Sequence, residues 1–242
     1  MKKFLNVVLV LLVSCPLFAN DETIREFSHL GEASVVLNGG NSEISTYNFK
    51  TSNSYRVSRY TGTIGGHYTY GTAFDVVSVR NYDVNAKIDT KLVDELGFFL
   101  GETYEGDKFG GIKYRFNTDL GLSYPFLNRD HMKFTSEIGY RNKVEKNEDS
   151  SIDMLHEHMA RIEGKFVYIS KDKFIFNFDL EYLPNFTDSN NFQINGSPSF
   201  TFTLSSIFSL KIGYRGRYDN KPSTVGNKKY DYLYTTALIS KF

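Results

Sequence analysis

Three residue types that commonly direct a fold are scarce in this sequence, which has no tryptophan, one cysteine and five prolines among 242 residues. A single cysteine cannot form a disulfide within the chain or build a thiolate metal site. Lysine plus arginine and aspartate plus glutamate both number 28, so the basic surplus typical of nucleic-acid binding is missing. Apolar residues with helical spacing are also missing, which argues against a helical fold.

The N-terminal segment has the layout of a secretory signal peptide. Two lysines precede an apolar run over residues 4–13, and a small-residue exit follows at Ala19. The run is too short to cross a bilayer as a helix. We therefore expect residues 1–19 to be removed and residues 20–242 to form a single domain.

The one cysteine lies inside this segment. Cys15 ends the tetrapeptide LVSC, which is similar to a lipid-attachment sequence, so a lipidated Cys15 is the alternative to cleavage after Ala19. Pro16 and the apolar residues beyond it favour cleavage. On that interpretation the mature chain has no thiol.

Strict alternation of apolar and polar residues runs through the rest of the chain. Between residues 112 and 126 the apolar positions alternate with Lys113, Arg115, Asn117 and Asp119. A period of two indicates β-strands with one apolar face and one polar face. About twelve such strands are predicted, over residues 28–38, 43–58, 60–71, 79–92, 96–105, 110–126, 132–143, 152–168, 174–183, 191–204, 208–219 and 230–242.

The length and connection of these strands favour a barrel in a membrane. Spans of about 10–16 residues are long enough to cross a bilayer when tilted. Short turns alternate with longer polar loops, as in up-and-down outer-membrane barrels, and only a closed sheet satisfies its backbone in lipid. We therefore predict an all-β fold, a transmembrane antiparallel up-and-down β-barrel of about 12 strands. A secreted soluble β-sandwich, with its aromatic residues inside, is the alternative.

The chain ends on a strand with a terminal aromatic residue, Phe242. Outer-membrane barrels commonly end in this way, and the barrel-assembly machinery reads that strand. We therefore expect the assembly machinery and outer-membrane lipids as partners, with a homo-oligomer as a further option.

The run YEGDKFGGIKYRFNTDLGLSY resembles the signature of the salt-induced outer membrane proteins, the YdiY-like family of unknown function. Its matching positions are Tyr104, Asp107, Phe109, Gly111, Tyr114, Arg115, Gly121 and Tyr124. Gly40, Asn41 and Ser42 resemble the family's early turn, and the late segment SLKIGYRGRYDNKP and the final strand match as well. The resemblance implies an outer-membrane barrel without an assigned activity. The missing tryptophan is a small departure from the family pattern.

The polar face of the strands is expected to line the lumen. Its candidate charges are Lys113, Arg115, Asp119, Glu137, Arg141, Arg161, Arg215 and Arg217. These charges fit a narrow porin-like channel, and no loop is long enough to fold in and close it. They equally fit a cross-braced wall that conducts little, in a structural barrel that self-associates or binds envelope lipids. We expect no enzyme activity and no cofactor.

Arg115 and Asp107 form the pair of greatest interest, although Asp107 and Gly111 are also typical of a turn. His156 and His158 share one strand face and could present two imidazoles to a metal ion. No third ligand is identifiable nearby, so we predict no metal site and assign both to a contact on the outer face.

Overall fold

The chain forms a closed antiparallel β-barrel of twelve strands, each hydrogen-bonded to its sequence neighbours, with β12 returning to β1. This confirms the predicted fold. The computed structural model describes residues 25–38, 44–93, 95–171, 174–222 and 226–241. The strands are β1 (Arg25–Asn38), β2 (Ile44–Val57), β3 (Tyr60–Ala73), β4 (Val76–Val93), β5 (Leu96–Asp107), β6 (Ile112–Arg129), β7 (Met132–Asn147), β8 (Leu155–Ile169), β9 (Phe174–Pro184), β10 (Phe192–Thr203), β11 (Phe208–Asp219) and β12 (Tyr230–Lys241).

The apolar face of the strands points outward and the charged face points inward. Ile64 and Ile138 are 63% and 64% exposed on the outside, whereas Glu137, directly before Ile138, is 3% exposed. A soluble protein would reverse this arrangement, because exposed apolar surface is unfavourable in water. The barrel is therefore built for an apolar surrounding.

Two connection lengths distinguish the ends of the barrel. The links after β2, β4, β6, β8 and β10 have two to four residues, and we call this the short-turn end. The links after β7, β9 and β11 are longer, and they lie at the opposite, long-loop end together with those after β1, β3 and β5. β7 continues to Asn147, so residues 144–147, expected in a loop, belong to the wall.

A register shift between β6 and β7 changes the direction of the Lys113 side chain. Ile112 pairs with Asn147 and Tyr114 pairs with Lys146, which leaves Lys113 as an extra residue in β6. On the β5 side the register shifts at Gly106. A further shift lies between β4 and β5, where Leu92 is the extra residue between the pairs Lys91–Gly97 and Val93–Leu96.

Among the described residues, the seam that closes the barrel is the shortest ladder. There β1 and β12 are joined by four registered pairs, from Leu30 opposite Lys241 to Ala33 opposite Leu238. On its other side β1 makes fourteen pairs with β2.

Several expectations lie outside the described residues. They are the signal peptide over residues 1–19, Cys15, the early turn at 40–42 and the terminal Phe242. Within the described residues there is no helix of the length and hydropathy needed to span a membrane.

Candidate functional site

The barrel interior has two sides with different chemistry. We call the inward positions of β4–β9 the braced wall, because their charged groups are joined in ion pairs. We call the inward positions of β10–β12 and β1–β3 the open wall, because Lys50 and Arg215 there face lumen cavities and form no ion pair with the described residues.

Arg161 of β8 organises the middle of the braced wall. Glu163 pairs directly with Glu137 on one neighbouring strand and with Glu181 on the other, which places three carboxylates in one row. Like charges directly opposite each other are destabilising. Arg161 binds all three, with N···O distances of 2.8 Å to Glu137 and 2.7 Å to Glu181 and a further ion pair to Glu163. One guanidinium group therefore bridges all three carboxylates of the row.

Further pairs extend this network across the wall. Arg141 lies opposite Asp119 and donates to both of its carboxylate oxygens, at 2.6 and 2.7 Å. It also contacts Glu181 at 3.0 Å. Lys87 and Lys165 add contacts to Glu137 at 2.7 and 3.0 Å. Removing one member of such a buried network leaves its partners charged and unpaired, which costs far more than an exposed pair is worth.

Arg115 and Asp107, the two residues singled out in the sequence, have different partners. Arg115 is 4% exposed and binds Glu145 at 2.6 Å and Glu105 at 2.7 Å. Asp107 instead accepts hydrogen bonds from the backbone N–H groups of Phe109 and Gly110, at 3.1 and 2.8 Å.

Asp107 and Gly111 thus shape the β5–β6 turn, which was the alternative interpretation of these residues. Gly111 has a φ of 79°, in the left-handed region that favours glycine.

A phenyl ring fills part of the lumen beside the braced wall. Phe99 is fully buried and lies between two cations, 4.8 Å from Lys87 Nζ and 5.1 Å from Arg161 Cζ. Gly121 and Gly139 face each other beneath it, and a Cβ on either glycine would collide with the backbone of the other strand. The missing side chains let β6 and β7 approach closely and give the ring room.

The open wall borders cavities that are large enough to hold water. Cavities of about 110, 470 and 470 Å³ lie in the lumen, and all three are lined by His67 and Arg215. Lys50 lines two of them. Within the described part of the chain, neither Lys50 nor Arg215 has a hydrogen bond or an ion pair, whereas Lys211 binds Glu32 at 2.9 Å. Two cations therefore face the cavities with no carboxylate of the described residues at ion-pair distance.

The lumen narrows toward the long-loop end. Arg217 of β11 lies 3.7 Å from Glu105 of β5, although these strands are six places apart in either direction around the ring. Asn227 of the β11–β12 connection donates to the carbonyl of Gly110, in the β5–β6 connection, at 2.9 Å. The expectation that no loop reaches across the barrel is wrong, because this connection contacts the far side.

The same end carries an exposed ion pair between loops. Lys221 Nζ lies 2.8 Å from an oxygen of Asp188. The hydrogen bond from Lys221 lowers the pKa of Asp188 and raises the pKa of Lys221. Both groups are in water, so this contact contributes little to stability.

The prediction that Lys113 lines the lumen is wrong. Ile112 is buried and opposite the buried Asn147, and the extra residue in β6 then turns both Lys113 and Tyr114 to the outside. A β-bulge re-aims a side chain in this way. Lys113 is exposed and does not line the lumen.

The other predicted lumen charges point inward. Arg115, Asp119, Glu137, Arg141 and Arg161 belong to the braced wall. Arg215 lines the cavities of the open wall, and Arg217 lies at the narrowing.

His156 and His158 are exposed on the outer face of β8. His158 Nδ1 is hydrogen-bonded to the Tyr140 hydroxyl, and the two rings stack. No group of three potential metal ligands is found among the residues that the structure describes. Tyr140 thus fixes the orientation of the His158 ring on the outer face.

Three important residues were missed in the sequence. Tyr47 and Phe49 lie on the outer face of β2, so the alternation already indicates that Lys50, the next residue, faces the lumen. Glu145 was placed in a loop because its surroundings are polar. Glu105 was obscured by Glu102, a carboxylate that stays on the outer face and accepts a 2.6 Å hydrogen bond from Thr118.

Comparison with known families matches residues 31–242 to a protein family of unknown function, DUF481. The chain belongs to this family. The match covers almost the whole barrel, and the narrower resemblance to salt-induced outer membrane proteins stays a prediction. No curated protein sequence matches the chain.

Solved structures that resemble this DUF481 protein are outer-membrane barrels. The NanC porin is 14% identical, with a TM-score of 0.51, covering 89% of this chain and 98% of that one. The KdgM porin is 9% identical, with a TM-score of 0.48 and coverage of 89% and 96%. The translocator domain of the autotransporter NalP from Neisseria meningitidis is 10% identical, with a TM-score of 0.43 and coverage of 92% and 89%. The likeness to NanC shows the fold, a closed β-barrel.

Proposed function

We propose that this protein is a narrow, non-enzymatic channel whose solute path follows the open wall. The carrying observation is the group of three cavities that share His67 and Arg215 as lining residues. Small ions and polar solutes would pass beside Lys50 and Arg215, while the braced wall keeps the barrel from collapsing. Twelve strands lie between barrels filled by side chains and those with a wide aqueous channel, which fits a narrow path.

The test is single-channel current across a planar bilayer containing the folded protein. Discrete steps are expected, and Arg215→Glu should raise the permeability of cations relative to anions because it reverses a charge on the path. Lys113→Glu makes the same charge change outside the lumen and should leave conductance and selectivity as in the wild type.

A second function, a non-conducting structural barrel, is favoured by one observation. The 3.7 Å contact between Arg217 and Glu105 crosses the lumen at one level, and Phe99 occupies part of the lumen at another. A flat trace from protein shown to be folded and inserted would select this function and end the channel proposal.

A further inference from the structure

The outer surface of β4–β6 at the long-loop end carries three cations above an aromatic groove. The bulge in β6 directs Lys113 outward. Arg80 of β4 is exposed on the same face, next to Tyr82, and Lys108 is exposed in the adjoining turn. The Lys108 N–H donates to the Arg80 carbonyl at 3.1 Å, so these two residues are neighbours in space.

These cations are uncommitted in the described part of the protein. The side chains of Arg80, Lys108 and Lys113 make no hydrogen bond or ion pair there. Lys146, on the next strand, differs because its Nζ donates to the carbonyl of Ile152 at 2.5 Å. Exposed cations beside a membrane interact with the phosphates of lipid headgroups.

The groove directly below is apolar and open to the outside. Tyr104, Tyr114 and Phe116 line a shallow, wide-open depression of about 500 Å³ on this surface. The ring centroids of Tyr104 and Phe116 are 4.9 Å apart, and those of Tyr114 and Phe116 are 6.0 Å apart. An acyl chain fits such a surface, because aromatic rings with polar tips lie at the membrane boundary.

The opposite side of the barrel differs, because in its β11–β12 connection Lys221 is paired with Asp188 and Lys229 donates to Asn220. On the opposite side, the outward positions of β11 and β12 carry tyrosines and no cation among the described residues. These tyrosines are Tyr214, Tyr218, Tyr230, Tyr232 and Tyr234. On the flank toward β8, acidic residues of the β7–β8 connection (148, 149 and 153) limit the basic surface.

We propose that this surface binds one phosphorylated lipid of the outer leaflet, with its phosphate on Arg80, Lys108 and Lys113 and an acyl chain in the Tyr104–Tyr114–Phe116 groove. The inference needs the long-loop end to face outside, as it does in outer-membrane barrels. It does not depend on conduction, so its failure and that of the channel proposal are separate results.

Native mass spectrometry of the purified barrel in detergent tests this site, with lipid A as the phosphorylated probe. The wild type is expected to retain one lipid A, and the Arg80→Glu/Lys113→Glu double variant should bind about twentyfold more weakly, as expected for two cations at an anionic surface. Arg129→Glu reverses an exposed cation at the short-turn end of the same strand as Lys113. That control should bind like the wild type.

Two further measurements distinguish recognition of the phosphate from non-specific hydrophobic binding of the lipid. Dephosphorylated lipid A should bind the wild type and the double variant equally weakly. Phe116→Ser should weaken retention of lipid A while leaving the cations in place. Equal binding of the phosphorylated and dephosphorylated lipids to the wild type, or undiminished binding by the folded double variant, would overturn the proposal.

Discussion

The two walls of the lumen are made from the same residue types yet solve different problems. In the braced wall, Arg161 and Arg141 are surrounded by carboxylates from neighbouring strands at 2.6–3.0 Å. In the open wall, Lys50 and Arg215 face cavities without such partners. A charge bound to several partners stabilises the fold, because its removal leaves the partner charges buried and unpaired. A charge that faces water is available to a solute. Composition alone does not distinguish the two.

The largest difference in stability between the two walls is expected at Arg161. Arg161→Met leaves three adjacent carboxylates without their shared cation, and a loss of about 3–5 kcal/mol in the free energy of unfolding is expected. Urea unfolding in lipid vesicles, followed by circular dichroism, measures the loss. Arg215→Met makes the same change on the open wall and should stay within about 1 kcal/mol of the wild type. Equal losses at both positions would remove the distinction between the walls.

A smaller effect is expected beneath Phe99. Gly121→Ala places a methyl group against the backbone of β7, and a loss of about 1–3 kcal/mol follows from overpacking. Gly101→Ala serves as the control, because a Cβ there meets its nearest neighbours at 3.6 Å and 3.7 Å, an ordinary contact. The same unfolding experiment applies. A Gly121→Ala barrel as stable as the control would show that the close approach of β6 and β7 is dispensable.

The smallest effect on stability is expected at the narrowing. Arg217 is only loosely paired with Glu105, so Arg217→Ala should change the free energy of unfolding by about 0.5 kcal/mol or less. Single-channel conductance should nevertheless rise, because the substitution removes a long side chain from the narrow section of the lumen. Conductance identical to the wild type, in a protein that does conduct, would place the limiting section elsewhere.

The barrel was predictable from the sequence because period-two alternation is a local signal. Tyr47, Phe49 and Lys50 show their faces within a few residues, and the predicted strand bounds lie close to those observed. Partners across strands are not local. That Arg161 joins Glu137, Glu163 and Glu181 depends on the register of three strands, which the alternation leaves undetermined.

Lys113 shows the second limit of the sequence. Its position in an alternating run predicted the lumen, and one extra residue in β6 reversed that direction. A bulge of this kind has no strong composition signal beyond the glycines nearby, because it is set by how the neighbouring strands pair. The error was informative, since the displaced lysine is part of the proposed lipid site.

The seam between β1 and β12, with four pairs in the described part of the chain, is the weakest join in the wall. It joins residues at opposite ends of the chain, so its closure restricts the whole polypeptide while adding few hydrogen bonds. Local opening requires least free energy where fewest bonds must break. The barrel should therefore part at this seam before it parts anywhere else. An opening there would lead sideways from the lumen into the bilayer, and not to the water on either side.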